Sequence, residues 1–503
     1  MRQWLHIIVI HSKKKKSGRR KKKMESEALI HVLMVSYPGQ GHINPLLRLA
    51  KFLAAKGFFV TFSTAEIVGK LMRTANNISH ESVTPVGEGF LKFDFFEEGG
   101  MTDGDGDGSK MKTLSDFIAQ IEHCGRQYVS RVIKEHAEAH HPISCIINNP
   151  FVPWVSDVAA EHGIPSAMLW VQSAAVFTAY YSYFHKLATF PSDVDPYVDV
   201  QLPCVVLKYN EIPNFLHPFS PYPALATVIL EQFKNLSKLF CVLVDSFEEL
   251  ECDHINYLSK LVHIRPIGPL FKIPTATDTS DIRGDFMKRD DCIEWLNSRA
   301  AASVVYISFG SVVCPPQEQV TEIAHALLDS KISFLWVLKP PAKEFGIPPY
   351  VLPDGFLEET RGKGKVVQWS PQEEVLAHPS VACFVTHCGW NSSMEALTLG
   401  VPMLTFPAWG DQVTNAKFLV DVYGVGIKLG YGQTEKKIVS RDVVNKCLLE
   451  ATEGSKAEEL KQKALKWKRA AEAAVAENGS SAMNLDAFVK DIKKRGSVRV
   501  KEI

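Results

Sequence analysis

The pattern of apolar positions predicts the same structural unit twice along the chain. Residues 30–36 (IHVLMVS) form a continuous apolar run typical of a buried strand, followed by the loop YPGQGH and a helix from Asn44 to Lys56. Asn44 suits the N-cap of that helix, and Gly57 suits its end. Further on, the strand SVVYISFGS, a helix over 316–330 and the strand SFLWVLK repeat this order. The pattern therefore predicts two similar α/β halves.

Another strand and helix follow in the second half. The run VACFVTH (381–387) is short and apolar, the chain turns at Gly389, and SSMEALTLG forms a helix that ends at Gly400. A helix N-terminus presents unpaired N–H groups and a partial positive charge. This strand-to-helix turn can therefore hold a diphosphate without a lysine or a metal.

Polar and aromatic side chains flank this turn, and each allows two interpretations. Glu395, three residues after Ser392, can accept hydrogen bonds from ribose hydroxyls or complete a capping box. Trp369 offers a face on which a base can stack, although an isolated Trp is also a common core residue. Asp411 and Gln412 can bind two sugar hydroxyls or form a solvated turn. The residues alone leave these alternatives open.

The segment from Trp369 to Gln412 resembles the signature box of plant UDP-sugar-dependent glycosyltransferases of family 1. The resemblance implies that Trp369 stacks on uracil and that Gln372 and Glu395 bind ribose. A Gln in the last position is associated in this family with glucose as the donor sugar. The other implied roles are diphosphate binding by His387, Asn391 and Ser392, and sugar contact by Trp390, Asp411 and Gln412. We add Ser311, in the loop after the strand SVVYISFGS, as a further candidate at the diphosphate.

The loop PGQGHIN places His42 just beyond the carboxyl end of the first strand, where open α/β sheets bind ligands. From the residues alone, His42 suits a hydrogen bond at the helix start as well as it suits catalysis. The resemblance implies catalysis, because this loop matches the one that carries the family's catalytic His. Many family members have an Asp where Asn149 stands in CIINNPF, and that Asp orients and charges the His. This chain lacks the carboxylate.

The missing carboxylate predicts the kind of acceptor. A hydroxyl of pKa ~10 must lose its proton as it attacks, and an Asp-supported His accelerates this by roughly 10²–10⁴-fold. A carboxylic acid of pKa about 4 is already ionised at neutral pH, so it needs only orientation. From about residue 28 to 490 the chain also resembles plant hydroxycinnamate, gallate and limonoid glucosyltransferases, which share NNPF and make glucose esters.

We therefore expect inverting transfer of glucose from UDP-glucose to the carboxylate of a phenolic or related small acid, which gives a 1-O-β-glucose ester. The expected partners are UDP-glucose as co-substrate and a small aromatic acid, without a further cofactor. An alternative is O-glucosylation of phenolic or flavonoid hydroxyls, with Asp157 or a water network assisting His42. A more distant alternative is a non-catalytic UDP-sugar-binding protein, because one member of the usual catalytic pair is missing.

The aromatic stretch 170–190 allows two interpretations as well. It can line an acceptor pocket for planar molecules, or it can form a buried helix. We predict a mixture, in which one face meets the cleft. The residues of that face are Trp170, Tyr180, Tyr181 and Phe184.

A chain of 503 residues exceeds one ordinary core and predicts two domains. The resemblance implies the α/β architecture called GT-B, in which two Rossmann-like domains face each other across a cleft that holds the active site. The expected parts are a basic disordered N-terminal extension (1–27), an acceptor-binding domain (28–268), a linker (269–291), a UDP-sugar-binding domain (292–455) and C-terminal helices that pack back on the first domain (456–503).

The net charge is zero only by cancellation. Residues 1–23 hold ten Lys or Arg and no acid, which leaves 46 basic against 56 acidic residues in the rest of the chain. A basic run can bind nucleic acid or an anionic membrane. The run precedes Met24, after which ESEALIHV leads into the first strand, so we expect a non-native start or a disordered tail and no nucleic-acid partner.

Cysteine usage and hydropathy predict the compartment. Ten scattered cysteines in a large chain favour a reduced cytoplasmic protein. The apolar piece LHIIVI is too short to span a bilayer, and no later segment reaches that length. His378, Cys383, His387 and Cys388 match no paired metal-ligand spacing. We expect a cytoplasmic monomer without a membrane span or a metal.

Overall fold

The computed structural model describes residues 29–76, 83–99, 113–272, 284, 290–340, 348–430 and 437–502. The predicted N-terminal extension (1–27) and most of the predicted linker (269–291) lie outside these residues. The described chain contains two α/β halves, each built around a largely parallel sheet. The two halves predicted from the hydrophobic pattern are thus confirmed.

The first half contains an eight-stranded sheet within the described residues. Its strands are β1 (His31–Val35), β2 (Phe59–Ser63), β3 (Val83–Val86), β4 (Gly89–Phe93), β5 (Ile143–Asn148), β6 (Ser166–Trp170), β9 (Leu239–Val244) and β10 (Ile264–Pro266), with β7 (Val200–Gln201) and β8 (Val206–Leu207) forming a separate hairpin. The spatial order is β10-β9-β6-β5-β1-β2-β4-β3, and only the β3–β4 pairing of this described sheet is antiparallel. Strands β1 and β5 are buried along their whole length, as expected where helices cover both faces.

The second half contains a six-stranded parallel sheet, counted over the residues described. Its strands are β11 (Val304–Ser308), β12 (Ser333–Val337), β13 (Gly364–Val367), β14 (Val381–Thr386), β15 (Met403–Thr405) and β16 (Gly426–Lys428). The spatial order is β13-β12-β11-β14-β15-β16, so β11 and β14 lie at the centre. The carboxyl ends of these two strands lead into the glycine loops noted in the sequence.

Helices surround both sheets. In the first half they are α1 (Gln40–Ala55), α2 (Glu66–Asn76), α3 (Leu114–Glu138), α4 (Trp154–Glu161), α5 (Ala174–Phe184), α6 (Pro223–Lys234) and α7 (Glu248–Leu258). In the second half they are α8 (Ile293–Asn297), α9 (Gln317–Ser330), α10 (Phe356–Glu359), α11 (Gln372–Ala377), α12 (Trp390–Leu399), α13 (Gln412–Lys417), α14 (Arg441–Thr452), α15 (Gly454–Val475) and α16 (Ser480–Glu502). Short 3₁₀ turns lie at Asn214–Leu216, Leu236–Lys238 and Leu270–Lys272, and a π-helical turn lies at Phe418–Val422. None of the helices in the described ranges has both the length and the apolar character needed to cross a membrane.

Helix α1 begins four residues earlier than the sequence predicts. Its N-cap is Gly39, so Asn44 lies inside the helix and the prediction of Asn44 as N-cap is wrong. Pro45 also lies inside the helix, where its ring nitrogen has no hydrogen to donate to the carbonyl of Gly41. That carbonyl instead accepts from the side chain of Asn391 in the second half, at 2.7 Å.

The two last helices connect the halves. Helix α16 packs against β5 and β10, and Phe488 on it stacks on Phe240 with a ring distance of 5.8 Å. Helix α15 packs mainly on α12 and α14 of the second half and reaches α7 of the first. The expected packing on the first domain therefore describes α16, whereas α15 contacts both halves.

Candidate active site in the cleft between the two halves

A cavity of about 440 Å³ lies between the two halves, where the carboxyl ends of β1, β6, β11 and β14 meet. Residues of both halves line it, which places predicted donor residues and His42 in one space. The predicted site residues that line it are His42, Ser311, Trp369, Gln372, His387, Trp390, Asn391, Ser392, Glu395 and Asp411.

His42 lies in the first turn of α1 and is held between two aromatic rings. Its ring centroid is 5.2 Å from that of Tyr37 and 5.3 Å from that of Phe151. The Nδ1 atom is buried and has no hydrogen-bond partner in the described part of the chain. Burial lowers the pKa of His42 to about 3. The imidazole is therefore neutral at physiological pH and a weak base.

Asn149 follows β5 and is fully buried. Its Nδ2 donates to the Ser36 hydroxyl at 2.9 Å and to the backbone carbonyl of His42 at 3.0 Å, and its Oδ1 accepts from the Tyr37 N–H at 3.0 Å. Asn149 thus fixes the main chain on which His42 sits, without a hydrogen bond to the ring. A carboxylate at this position has no N–H to donate to the His42 carbonyl.

His387 begins the loop after β14, and its ring packs tightly between two glycines. A Cβ at Gly310 would lie 2.6 Å from the ring Cε1, and a Cβ at Gly389 would lie 2.4 Å from Nε2. Its Nδ1 is buried without a partner among the described residues, and burial lowers its pKa to about 4. Cys388 next to it has a positive φ of 63°, a conformation uncommon for a residue other than glycine. The turn is shaped around the His387 ring.

Asn391 and Trp390, at the start of α12, connect the two halves. The Asn391 Nδ2 donates to the Gly41 carbonyl, and its Oδ1 is buried without a partner in the described ranges. The Trp390 indole is 5% exposed and donates to the Asp245 carbonyl at 2.8 Å. The indole therefore belongs to the contact between the halves. Its N–H already donates to Asp245, so it cannot make the predicted sugar contact.

Gln372, Ser392 and Glu395 form one hydrogen-bonded group. The Gln372 Nε2 donates to the Ser392 hydroxyl at 2.9 Å and to Glu395 Oε2 at 2.8 Å. The N-cap of α12 is Gly389, so the alternative of a Ser392–Glu395 capping box is wrong. Burial raises the pKa of Glu395, while Arg48 lowers it.

Trp369, Asp411 and Gln412 have different surroundings. Trp369 is half-buried and lines the cavity, and its indole N–H is buried without a partner in the described residues. Asp411 accepts from Asn415 at 2.7 Å, and burial raises its pKa to about 6. Gln412 does not line this cavity, because its Oε1 accepts from the N–H groups of Ala408 and Trp409 at 2.8 and 3.1 Å.

The predicted acceptor face does not line this cavity. Trp170 and Tyr180 are fully buried, and their rings pack against Phe233 at 5.9 and 6.0 Å. Their assignment to the acceptor pocket is therefore wrong. Tyr181 and Phe184 lie on the outer side of the same aromatic group, with Phe184 36% exposed. The buried-helix alternative describes this stretch better.

Asp157, the suggested helper of His42 in hydroxyl transfer, also lies elsewhere. It accepts from Arg126 at 3.0 Å and forms an ion pair with Lys238. It does not line the cavity. The part of the alternative that uses Asp157 is thus wrong.

Three cavity residues were missed by the sequence analysis. Arg48 on α1 contacts Glu395 at 2.9 Å. In the sequence it interrupts the apolar run PLLRLA, and a charged residue at such a position could have indicated a buried ion pair. Gln172 follows β6 at its carboxyl end, where open sheets bind ligands, and its Oε1 is buried without a partner in the described chain. The Oδ1 of Asn44, which also lines the cavity, is likewise buried without a partner in the described chain.

Among the described residues, no group of three or more His, Cys, Asp or Glu side chains is arranged to hold a metal ion.

Comparisons with known proteins match this geometry. The family model described as UDP-glucoronosyl and UDP-glucosyl transferase matches residues 115–449. A gallate 1-beta-glucosyltransferase of Punica granatum is 58% identical over 473 residues, covering 94% of this chain and 90% of the relative. A cinnamate beta-D-glucosyltransferase of Fragaria ananassa is 56% identical over 473 residues, covering 94% and 84%. The crystal structure of Os79 from O. sativa in complex with UDP superimposes with a TM-score of 0.78 at 26% identity, covering 92% of this chain and all of that one.

These matches confirm the resemblance found in the sequence and the GT-B prediction of two Rossmann-like domains across a cleft. The identity extends over nearly the whole chain, so it includes both walls of the cavity. The chain therefore belongs to the family of UDP-glucoronosyl and UDP-glucosyl transferases.

Proposed function

We propose that the protein transfers glucose from UDP-glucose to the carboxylate of a small aromatic acid, with inversion, to give a 1-O-β-glucose ester. The observation that carries this proposal is the environment of His42, whose pKa burial lowers to about 3. Asn149, in the place of the family's Asp, uses its amide on the main chain and on Ser36. Such a site suits an acceptor that arrives already ionised.

The difference between the two acceptor types is large. A phenol of pKa ~10 must give up its proton as it attacks, and an imidazole whose pKa is lowered by burial is a poor base for that step. A carboxylic acid of pKa about 4 has lost its proton at neutral pH and needs no base. His42 then acts by orienting the acceptor in the cavity.

The relatives support this class of acceptor. Two of them are named for gallate and for cinnamate, which are both aromatic carboxylates. Cinnamate has no hydroxyl group other than that of its carboxyl, so the carboxylate is its only oxygen nucleophile. An enzyme similar to both at more than half of its positions fits the ester product better than a phenolic glucoside.

In the proposed reaction the carboxylate oxygen attacks the anomeric carbon in line with the departing UDP. The leaving diphosphate is received by the N-terminus of α12, where N–H groups and the helix dipole offset the developing charge. The polar atoms proposed to surround it belong to Ser311, His387, Asn391 and Ser392. No metal is part of this proposal, because these donors supply the neutralisation.

The remaining donor contacts follow the same wall. We assign uracil stacking to Trp369 and ribose binding to Gln372 and Glu395. Asp411 is the proposed acceptor for glucose hydroxyls. Gln412 holds the loop that carries Asp411, because its Oε1 caps the N–H groups of Ala408 and Trp409.

The test uses 4-hydroxybenzoic acid, which offers one carboxylate and one phenol. The purified enzyme with UDP-glucose should release UDP and form a product that mild alkali hydrolyses, because esters cleave and phenolic glucosides survive. An alkali-stable glucoside as the main product would contradict the proposal. Absence of UDP release with any acid in a panel would favour a non-catalytic UDP-sugar-binding protein.

The cellular location, the oligomeric state and the partners of the protein remain predictions. All ten cysteines are free thiols, which supports a reduced, cytoplasmic location. We infer a monomer whose partners are UDP-glucose and a small acid, without nucleic acid. Size-exclusion chromatography with light scattering checks the oligomeric state.

A further inference from the structure

Arg48 crosses the cavity from the first half to the second. It lies on α1, and its side chain is 17% exposed. Its Nη2 donates to Glu395 Oε1 at 2.9 Å and also forms an ion pair with Glu373 at the start of α11. The guanidinium lies 5.5 Å from the ring centroid of Phe271. A side chain of the first half, Arg48, is therefore part of the cavity wall formed by α11 and α12 of the second half.

Within the part of the chain that the structure describes, each oxygen of the Glu395 carboxylate accepts one side-chain hydrogen bond. Arg48 donates to Oε1, and Gln372 donates to Oε2 at 2.8 Å. Each carboxylate oxygen can accept two hydrogen bonds. One further acceptor position on each oxygen is available to the two ribose hydroxyls that the proposed function assigns to Glu395.

We propose that Arg48 is a donor-positioning residue, which acts through Glu395 and couples ribose recognition to contact between the two halves. This inference rests on the proposed ribose contact of Glu395. Arg48 fixes the carboxylate in one orientation and compensates its charge, since the Glu395 side chain is only 7% exposed. Ribose then meets a preoriented acceptor, and it does so only while α1 lies against α11 and α12.

The geometry favours arginine over lysine. Arg48 serves two carboxylates on two helices, which suits a planar guanidinium with five N–H donors. A lysine ammonium is a compact point charge and cannot span both in the same way. Arg48→Lys should therefore retain part of the effect, and Arg48→Met should remove it.

The experiment measures binding of UDP and of 2′,3′-dideoxyuridine diphosphate by titration calorimetry, without an acceptor. In Arg48→Met the Kd for UDP should rise about 10- to 100-fold, while the Kd for the dideoxy compound should rise less than about 3-fold. The Kd of Arg48→Lys for UDP should lie between the values of the wild type and Arg48→Met. A purely structural or long-range electrostatic role would weaken both ligands equally, because both carry the same diphosphate.

Controls make the outcome unambiguous. Arg131→Met makes the same substitution at an exposed ion pair, with Glu135 on α3, and should leave both Kd values unchanged. Near-ultraviolet circular dichroism verifies the fold of each variant, and Arg48→Lys serves if Arg48→Met does not fold. Equal losses for the two ligands, or no loss for UDP, would overturn the proposal.

Steady-state kinetics supply a second readout. In Arg48→Met the KM for UDP-glucose should rise by the same factor as the Kd for UDP, with kcat within about 3-fold of the wild type, because a ribose contact is made equally in ground and transition states. A fall in kcat at unchanged KM would contradict the positioning role. Failure of the ester proposal would leave the UDP titrations intact, so the two outcomes are distinguishable.

Discussion

Each of the two walls of the cavity holds a buried histidine, but the two walls are built differently. The donor wall around His387 is a single turn between β14 and α12, in which the ring fits between Gly310 and Gly389. The acceptor wall around His42 is assembled from distant segments, since Asn149 holds the His42 carbonyl across 107 residues of sequence. Burial keeps both imidazoles neutral, with pKa values near 4 and 3.

This difference has a functional consequence. The donor wall contains polar atoms that are buried without a partner in the described residues, such as Asn391 Oδ1 and His387 Nδ1, which suits a polar ligand. The acceptor wall holds His42 as a weak base between the rings of Tyr37 and Phe151, and its cavity-lining polar residues include Gln172 and Asn44. We therefore expect nucleotide binding and acceptor orientation to depend on different walls.

The largest effect is expected from Gly310→Ala, which breaks the donor wall. Gly310 has a φ of +73°, and its new Cβ would lie 2.6 Å from the His387 ring. Displacement of His387 should lower kcat/KM for UDP-glucose by about 10²–10³-fold. Gly362→Ala is the matched control, because Gly362 has a φ of +81° and nothing within 4 Å of the new Cβ. Similar losses in the two variants would show that backbone strain, and not His387, is responsible.

Asn149→Asp tests whether the acceptor wall depends on the amide. The variant cannot donate to the Ser36 hydroxyl or the His42 carbonyl and buries a charge, so the free energy of unfolding should fall by about 2–4 kcal/mol. The ester rate should fall by about 10- to 100-fold, measured on 4-hydroxybenzoic acid. Asn148→Asp is the control, since Asn148 donates to the Val152 carbonyl. It should lose stability with a smaller effect on rate. In Asn149→Asp the ratio of alkali-stable glucoside to ester should rise, because a carboxylate again lies near His42, and an unchanged ratio would contradict the acceptor argument.

His42→Gln sharpens the contrast between orientation and base catalysis. Glutamine keeps a polar side chain of similar length, so ester formation should fall only about 10-fold. The wild-type kcat should also stay level from pH 8 to pH 5, because His42 with a pKa of about 3 does not titrate in that range. A loss above 10³-fold, or a collapse of the rate near pH 6.5, would show that His42 acts as a general base.

The smallest effect is expected from the titration of Asp411. Burial raises its pKa to about 6, so the carboxylate is mostly charged at pH 7 and mostly neutral at pH 5. Hydrogen bonds to a charged acceptor are the stronger ones, so the KM for UDP-glucose should rise about 3- to 10-fold between pH 7 and pH 5. Asp411→Asn should have a higher KM at pH 7 and little change over this range. A variant that keeps the wild-type pH dependence would exclude Asp411 as its source.

Much of the donor wall was predictable because its residues belong to one local unit. The strand over 381–387, the turn at Gly389 and a helix ending at Gly400 are all found, since apolar periodicity and glycine positions determine them locally. The start of α1 was missed by four residues. Asn44 suggested an N-cap, but the Gly41 carbonyl, which Pro45 leaves without a donor in the helix, accepts from Asn391, far along the chain.

The sequence by itself determined two α/β halves, a family and a set of candidate donor residues, because these depend on spacing within short segments. Only the tertiary structure decided that Arg48 reaches Glu395, that Asn149 supports the main chain of His42, and that Trp170 and Tyr180 are core. The physical reason is the range of the interactions. Hydrogen bonds within one turn follow from local geometry, whereas contacts between residues hundreds of positions apart depend on how the whole chain packs.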